Sequence, residues 1–224
     1  MTKNTVLANS PNRRNQSPFC DGFSDPFADH LRSFPERQRR NVAEVMRQPH
    51  PAWKAQFDKL CARVLQTDGC LIGLLGPRGT GKTQMATSVG FHCGERADNG
   101  HPIFRGRTVA MYASLPDLLA KLRATFNSRE RDGKTEAGII DELARPRLLV
   151  LDEIHETSGS EWATSLFTNL IDRRYMEMLD TILISNEQQD AFTKSIGSSV
   201  ASRMQETGGV MICDWPSFRT KLAG

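Results

Sequence analysis

The sequence predicts an α/β fold, a parallel sheet of five strands between two layers of helices, and three observations predict it. From residue 70 onward short apolar runs alternate with amphipathic stretches of helical period. The first run, Cys70-Leu71-Ile72-Gly73-Leu74-Leu75, leads straight into Gly76-Pro77-Arg78-Gly79-Thr80-Gly81-Lys82-Thr83. A later run, Leu148-Leu149-Val150-Leu151, ends in Asp152-Glu153. Parallel sheets present ligand sites at the carboxyl ends of their strands, so both motifs belong to one site.

The predicted elements follow in order. Residues 36–48 have helical character, with Val42, Val45 and Met46 on one face. Pro51 opens a second helix, in which Trp53, Phe57, Leu60, Cys61 and Val64 keep the spacing of a buried stripe, and Asp68-Gly69 ends it. Then come strand 70–75, helix 82–94, strand 107–112, helices 115–127 and 135–143, strand 147–152, helix 160–177, strand 181–185, helix 188–195 and strand 209–213. In helix 160–177, Trp162, Leu166, Phe167, Leu170 and Ile171 form a core stripe, and the charged stretch 127–134 is a surface loop.

The glycine loop fits the pattern G-x-x-x-x-G-K-[ST], whose backbone N–H groups make a nest for phosphate oxygens. Gly76, Gly79 and Gly81 let the chain fold tightly around an anion, Lys82 reaches the β- and γ-phosphates, and Pro77, Arg78, Thr80 and Gln84 complete the candidate binding segment. The loop implies a nucleoside triphosphate, ATP in our reading, with Thr83 and Asp152 as ligands of Mg²⁺. Glu153, next to Asp152, is the candidate base that polarises an attacking water, which makes the chain an ATPase; the alternative is that the two acids cap the following helix. Asn186, at the end of the run Thr181–Ser185, either contacts the γ-phosphate or attacking water, or is a turn residue. Arg203 offers a guanidinium of the kind that stabilises a transferring phosphate when a neighbour supplies it, and the residue alone leaves that neighbour open.

Composition bounds the class. A chain of 224 residues with 38% hydrophobic content holds one principal domain. Residues 1–50 carry eight Lys and Arg against five Asp and Glu, whereas 51–224 carry 21 of each sign, so the excess of positive charge lies in the N-terminal segment. The five cysteines form no C-x-x-C pair, which argues for a reducing compartment and against zinc. No apolar run has the length of a membrane span, and the expected location is cytoplasmic. We divide the chain into an N-terminal arm, 1–50, helical in part and disordered over most of 1–35, and an ATPase domain, 51–224. In the arm, Phe19, Phe23, Phe27 and Phe34 are either docking anchors for a partner or fold back onto the domain.

With these residues quoted, the chain resembles the DnaC/IstB group of AAA+ ATPases, and within it the replicative helicase loaders. The resemblance covers about residues 68–220. It rests on the glycine loop, on Leu148 to Ile154, on Ile171-Asp172-Arg173-Arg174-Tyr175, on Ile184-Ser185-Asn186, on Val200-Ala201-Ser202-Arg203-Met204, and on Trp215-Pro216-Ser217-Phe218-Arg219, similar to the W-x-S-[YF]-R ending of loaders. It implies an AAA+ domain without a C-terminal helical lid, Asn186 as first sensor and Arg203 as an arginine finger acting in trans. Ser199 stands where loaders often carry a further arginine. The resemblance further implies a homo-oligomer built on ATP interfaces, single-stranded DNA along its inner face, and a hexameric replicative helicase met through the N-terminal arm. Lys121 and Arg123 are the DNA candidates, or else solvate an outer helix face. Three rivals stay open: an IstB-like transposition helper acting on duplex DNA, a small-molecule kinase with Arg129 and Arg131 in a lid, and a non-hydrolysing ATP switch.

Overall fold

The computed structural model describes residues 30–101, 104, 108–127, 135–154 and 161–219, the side chains of 126 and 127 excepted. Phe19, Phe23, Phe27 and the 128–134 loop lie outside the described residues. The elements are α1 (Glu36–Arg47), α2 (Pro51–Gln66), β1 (Leu71–Leu75), α3 (Lys82–Asp98), β2 (Ala110–Ser114), α4 (Leu115–Asn127), α5 (Glu136–Ala144), β3 (Leu148–Asp152), α6 (Glu161–Met176), β4 (Asp180–Ser185), α7 (Gln189–Thr207) and β5 (Gly209–Ile212). The five strands form one sheet in the order β2-β3-β4-β1-β5, and every pairing is parallel.

Alternation along the strands builds two cores. Ile72 and Leu74 of β1, Leu148 and Val150 of β3, and Ile182 and Ile184 of β4 face α2 and α3. Leu71, Leu75, Leu149, Leu151 and Leu183 face α4, α5, α6 and α7. Each such side chain contributes roughly 1.5–3 kcal/mol on burial. Trp53, Phe57, Leu60 and Val64 form the buried stripe of α2. On α6, Leu166, Phe167, Leu170 and Ile171 are buried, and Trp162 sits half-buried at the rim with the Arg123 guanidinium over its ring.

Two elements depart from the sequence expectation. The strand expected at 107–112 is Ala110–Ser114, because its last residues pair with β3 as far as Ser114 opposite Asp152. The helix expected at 188–195 continues to Thr207 across a break at Gly197, whose φ is 79°. Beyond that break Val200 and Met204 carry on the stripe begun by Phe192 and Ile196, a period that the glycine and its neighbouring serines conceal in the sequence. Towards the N-terminus, Leu31, Phe34 and Val42 are buried, and Leu31 and Phe34 share the core of α2 and α3. Of the four spaced phenylalanines, Phe34 is therefore a core residue.

At the end of the sheet away from the glycine loop, Arg174 is fully buried. Its guanidinium donates to Thr181 Oγ1 at 2.9 Å, to the Leu143 and Pro146 carbonyls at 3.0 Å each, and to the Asp180 carbonyl at 2.6 Å. One side chain thus ties α6, the end of α5 and β4 together. Arg174→Met leaves those acceptors buried without a donor and costs about 3 kcal/mol; a urea titration should show the midpoint falling, with nucleotide affinity of the folded protein unchanged.

Candidate nucleotide site

The strand order fixes the site. In the sheet β4 lies between β1 and β3, so the loop after β1, Asn186 after β4 and Asp152 at the end of β3 stand side by side. Asn186 is the bridge: the Lys82 ammonium donates to its Oδ1 at 2.9 Å, and also to the carbonyls of Gly76 at 2.7 Å and Pro77 at 2.9 Å. Burial pulls the Lys82 pKa below its ordinary value, with Asp152 opposing the shift and Arg219 and Arg78 adding to it.

The glycine loop is held from outside. Its carbonyls face the protein: Gly79 O accepts from Phe218 N–H at 2.9 Å, Thr80 O from the Trp215 indole at 2.9 Å, and Gly81 O from the Trp53 indole at 3.2 Å. Among the described residues, the amide N–H groups of residues 78 to 83 donate to nothing in the chain. Carbonyls turned out and amides left over make an anion nest at the N-terminus of α3. The glycines at its two corners are required. Gly76 has φ 144°, and a Cβ there would lie 2.1 Å from the Cys213 carbonyl; Gly79 has φ 89°, and a Cβ would lie 1.9 Å from Ser217 Oγ.

Both acids are oriented by neighbours. The Asp152 carboxylate, 8% exposed, accepts from the Thr83 hydroxyl at 2.7 Å and the Tyr112 hydroxyl at 3.2 Å on Oδ2. Its Oδ1 accepts from the Glu153 amide at 2.8 Å. Glu153 has φ 62°, left-handed for a non-glycine residue, a conformation that costs on the order of 1 kcal/mol and re-aims the side chain as the strand ends. The Ser114 hydroxyl donates to its carboxylate at 3.2 Å. Thr83 and Asp152 offer the hard oxygen donors that Mg²⁺ takes alongside substrate phosphates and water, so the residues present fit that ion.

Other residues singled out in the sequence lie elsewhere. Gln84, one position past Thr83, turns to α1 and donates to the Gln38 carbonyl at 3.0 Å. Arg203 stands on α7 and meets Asp172 at 3.1 Å, the Ser199 hydroxyl and the Tyr175 ring; none of these belongs to the glycine loop. Lys121 and Arg123 are exposed on α4. Sequence reasoning missed Trp53 and Trp215 as supports of the loop, because an indole in a core stripe or a terminal motif does not announce the carbonyl it serves. Ser114 lies past the expected strand 107–112, and Tyr112, although inside it, carries no sign of the carboxylate it serves; the pairing of Ser114 with Asp152 is the signal that finds both.

Solved structures show the same fold. The crystal structure of the DnaC helicase loader aligns with a TM-score of 0.53 at 18% identity, covering 84% of this chain and 99% of that one. DnaI aligns at 0.57 and 17% identity, covering 82% and 93%. The replication initiator DnaA bound to AMPPCP and single-stranded DNA aligns at 0.53 and 20% identity, covering 70% and 45%. Fold and loop together define the class, a P-loop protein of the AAA+ type. Within it, the model for IstB-like ATP binding proteins matches residues 56–204, and the chain belongs to that family. Over 150 residues it is 27% identical to the replicative helicase loader DnaC of Escherichia coli K12, spanning 66% of this chain and 56% of that protein. Over 165 residues it is 26% identical to the uncharacterized protein YdaV of the same strain, spanning 73% of this chain and 61% of that one. The chain thus spans less than two thirds of these relatives. Among the described residues no helix is long and apolar enough to cross a membrane.

The indole support is testable. Trp215→Phe keeps an aromatic ring, smaller than the indole, and leaves the Thr80 carbonyl without its donor, a cost of about 1–3 kcal/mol. Thermal unfolding should show a lower midpoint, and titration with fluorescent nucleotide a severalfold weaker affinity.

Proposed function

We propose that the chain is an ATP-hydrolysing helicase loader in replication initiation, and the observation that carries the nucleotide half of this reading is the nest of unengaged amides beside Lys82, with Lys82 held by Asn186 and Thr83 bonded to Asp152. The phosphates of ATP lie on the amides of residues 78 to 83, with the Lys82 ammonium on the β- and γ-oxygens. Thr83 and Asp152 would hold Mg²⁺, which would supply positive charge to offset that of the phosphates. Glu153 takes a proton from water as its oxygen attacks the γ-phosphorus; the bond to the bridging oxygen breaks, and ADP and phosphate leave. Asn186 positions the γ-phosphate or the attacking water.

Arg203 acts on the nucleotide of the neighbouring protomer. Its place on α7, partly exposed and held by Asp172 and Tyr175 of α6 away from its own glycine loop, supports this assignment. ATP-dependent assembly then lines single-stranded DNA with exposed cations such as Lys121 and Arg123 and delivers a hexameric helicase bound through the N-terminal arm. The similarity to DnaC loaders favours this client; the IstB-like family description keeps a transposition helper as the second reading.

One experiment separates them. Capture of a hexameric replicative helicase by the full chain, with and without ATP, should succeed and should fail for a chain lacking residues 1–29, a cut that spares the buried Leu31 and Phe34. Binding to duplex DNA as well as to single strands, with the helicase ignored, would select the transposition helper. In the same preparation Glu153→Gln should lower ATP turnover by at least roughly a hundredfold with ATP binding retained. Arg203→Ala mixed with Lys82→Ala should recover turnover that neither shows alone.

A further inference from the structure

The face of β2 turned towards α3 reaches both acids. Side chains alternate along a strand, so Ala110, Tyr112 and Ser114 share that face. Ser114 donates to Glu153 at 3.2 Å, and the Tyr112 hydroxyl donates at 3.2 Å to the same Asp152 oxygen that accepts from Thr83. With the Glu153 amide on the other oxygen, the carboxylate has three donors and one orientation. Two of those three donors, Thr83 and Glu153, belong to the motifs already described. Tyr112 does not.

Tyr112 is in turn fixed by the segment that precedes α1. β2 is an edge strand, and the Tyr112 amide on its open side donates to Ser33 Oγ at 2.9 Å. The Phe34 ring lies 5.7 Å from the Tyr112 ring and is buried. The segment can come this close because α3 has Gly90 beneath it: a Cβ there would stand 3.0 Å from Leu31 Cδ2 and 3.1 Å from Phe34 Cζ. Four residues further on, Gln38 accepts from Gln84, the neighbour of Thr83. Residues 31–38 therefore touch both sides of the Thr83–Asp152 pair, through Tyr112 on the strand side and through Gln84 on the helix side.

We propose that Tyr112 is a positioning residue for the metal-holding carboxylate of Asp152, and that residues 31–38 set the place of Tyr112, so that the N-terminal segment controls metal-dependent nucleotide binding. The proposal rests on the ATP and Mg²⁺ reading above and adds to it the residue and the segment that tune that site. The coupling needs no movement of the sheet: losing the Ser33 acceptor loosens the Tyr112 backbone at the open edge, losing the Phe34 ring frees its side chain, and in either case the hydroxyl is held less firmly on the carboxylate.

Fluorescent ATP binding, titrated with Mg²⁺ and separately in excess EDTA, tests it. Wild type should bind in both, more tightly with Mg²⁺. Tyr112→Phe keeps the ring and its packing; it should raise the Mg²⁺ concentration for half-maximal binding roughly three- to tenfold, the range of one ordinary hydrogen bond, with affinity in EDTA unchanged. Ser33→Ala should shift the Mg²⁺ requirement the same way by a smaller factor and add little on top of Tyr112→Phe, the signature of two residues acting through one path. An unchanged Mg²⁺ requirement in Tyr112→Phe, or an equal loss with and without Mg²⁺, overturns the role of Tyr112. Full additivity of Ser33→Ala overturns the role of the segment. Failure of the wild type to bind in either condition defeats the ATP reading itself, a result distinct from both.

Discussion

The hydrogen bond from Thr83 to Asp152 is the constraint on which the rest of the molecule converges. It joins the first turn of α3 to the end of β3 across the intervening β4, and it exists only because three parallel strands end at the same level. The buried alternation of β1, β3 and β4 sets that level. The glycine loop then needs its carbonyls turned outward, and Trp53, Trp215 and the Phe218 amide turn them. Core packing and phosphate chemistry are here one problem: the same side chains that close the hydrophobic layer around α2 also leave the amides of the nest open.

Much of this was legible in the sequence, for physical reasons that differ from element to element. β1 and β3 read clearly because strands buried on both faces are continuous apolar runs, and each ends in residues that have little other reason to follow such a run. β2 read poorly. Its Tyr112 and Ser114 are polar at one end and serve the acids of β3, so an apolar pattern places the strand too early. The second half of α7 was hidden by Gly197, although Ile196, Val200 and Met204 keep the helical spacing through the break. Phe34 could not be told from Phe19, Phe23 and Phe27 by spacing, since only its fit over Gly90 makes it core.

Contacts made by one side chain to a distant carbonyl were the least legible of all. Nothing in the run Asp172-Arg173-Arg174 marks one arginine as buried, yet Arg174 serves four acceptors drawn from three parts of the chain. Its neighbour Arg173 stays half-exposed and pairs with Asp141 and Glu177. Two adjacent arginines thus have unrelated work, one structural and one at the surface. Arg203, by contrast, is partly exposed and pairs with Asp172 and Tyr175 of α6.

The central claim is that the nest beside Lys82 grips the phosphates of a nucleotide. Calorimetric titration of wild type and Lys82→Ala with a non-hydrolysable ATP analogue in the presence of Mg²⁺ tests it most directly. Wild type should bind saturably, and the variant should bind at least about tenfold more weakly, a loss of about 1.4 kcal/mol or more. Equal affinity in the two proteins, both folded, would contradict it.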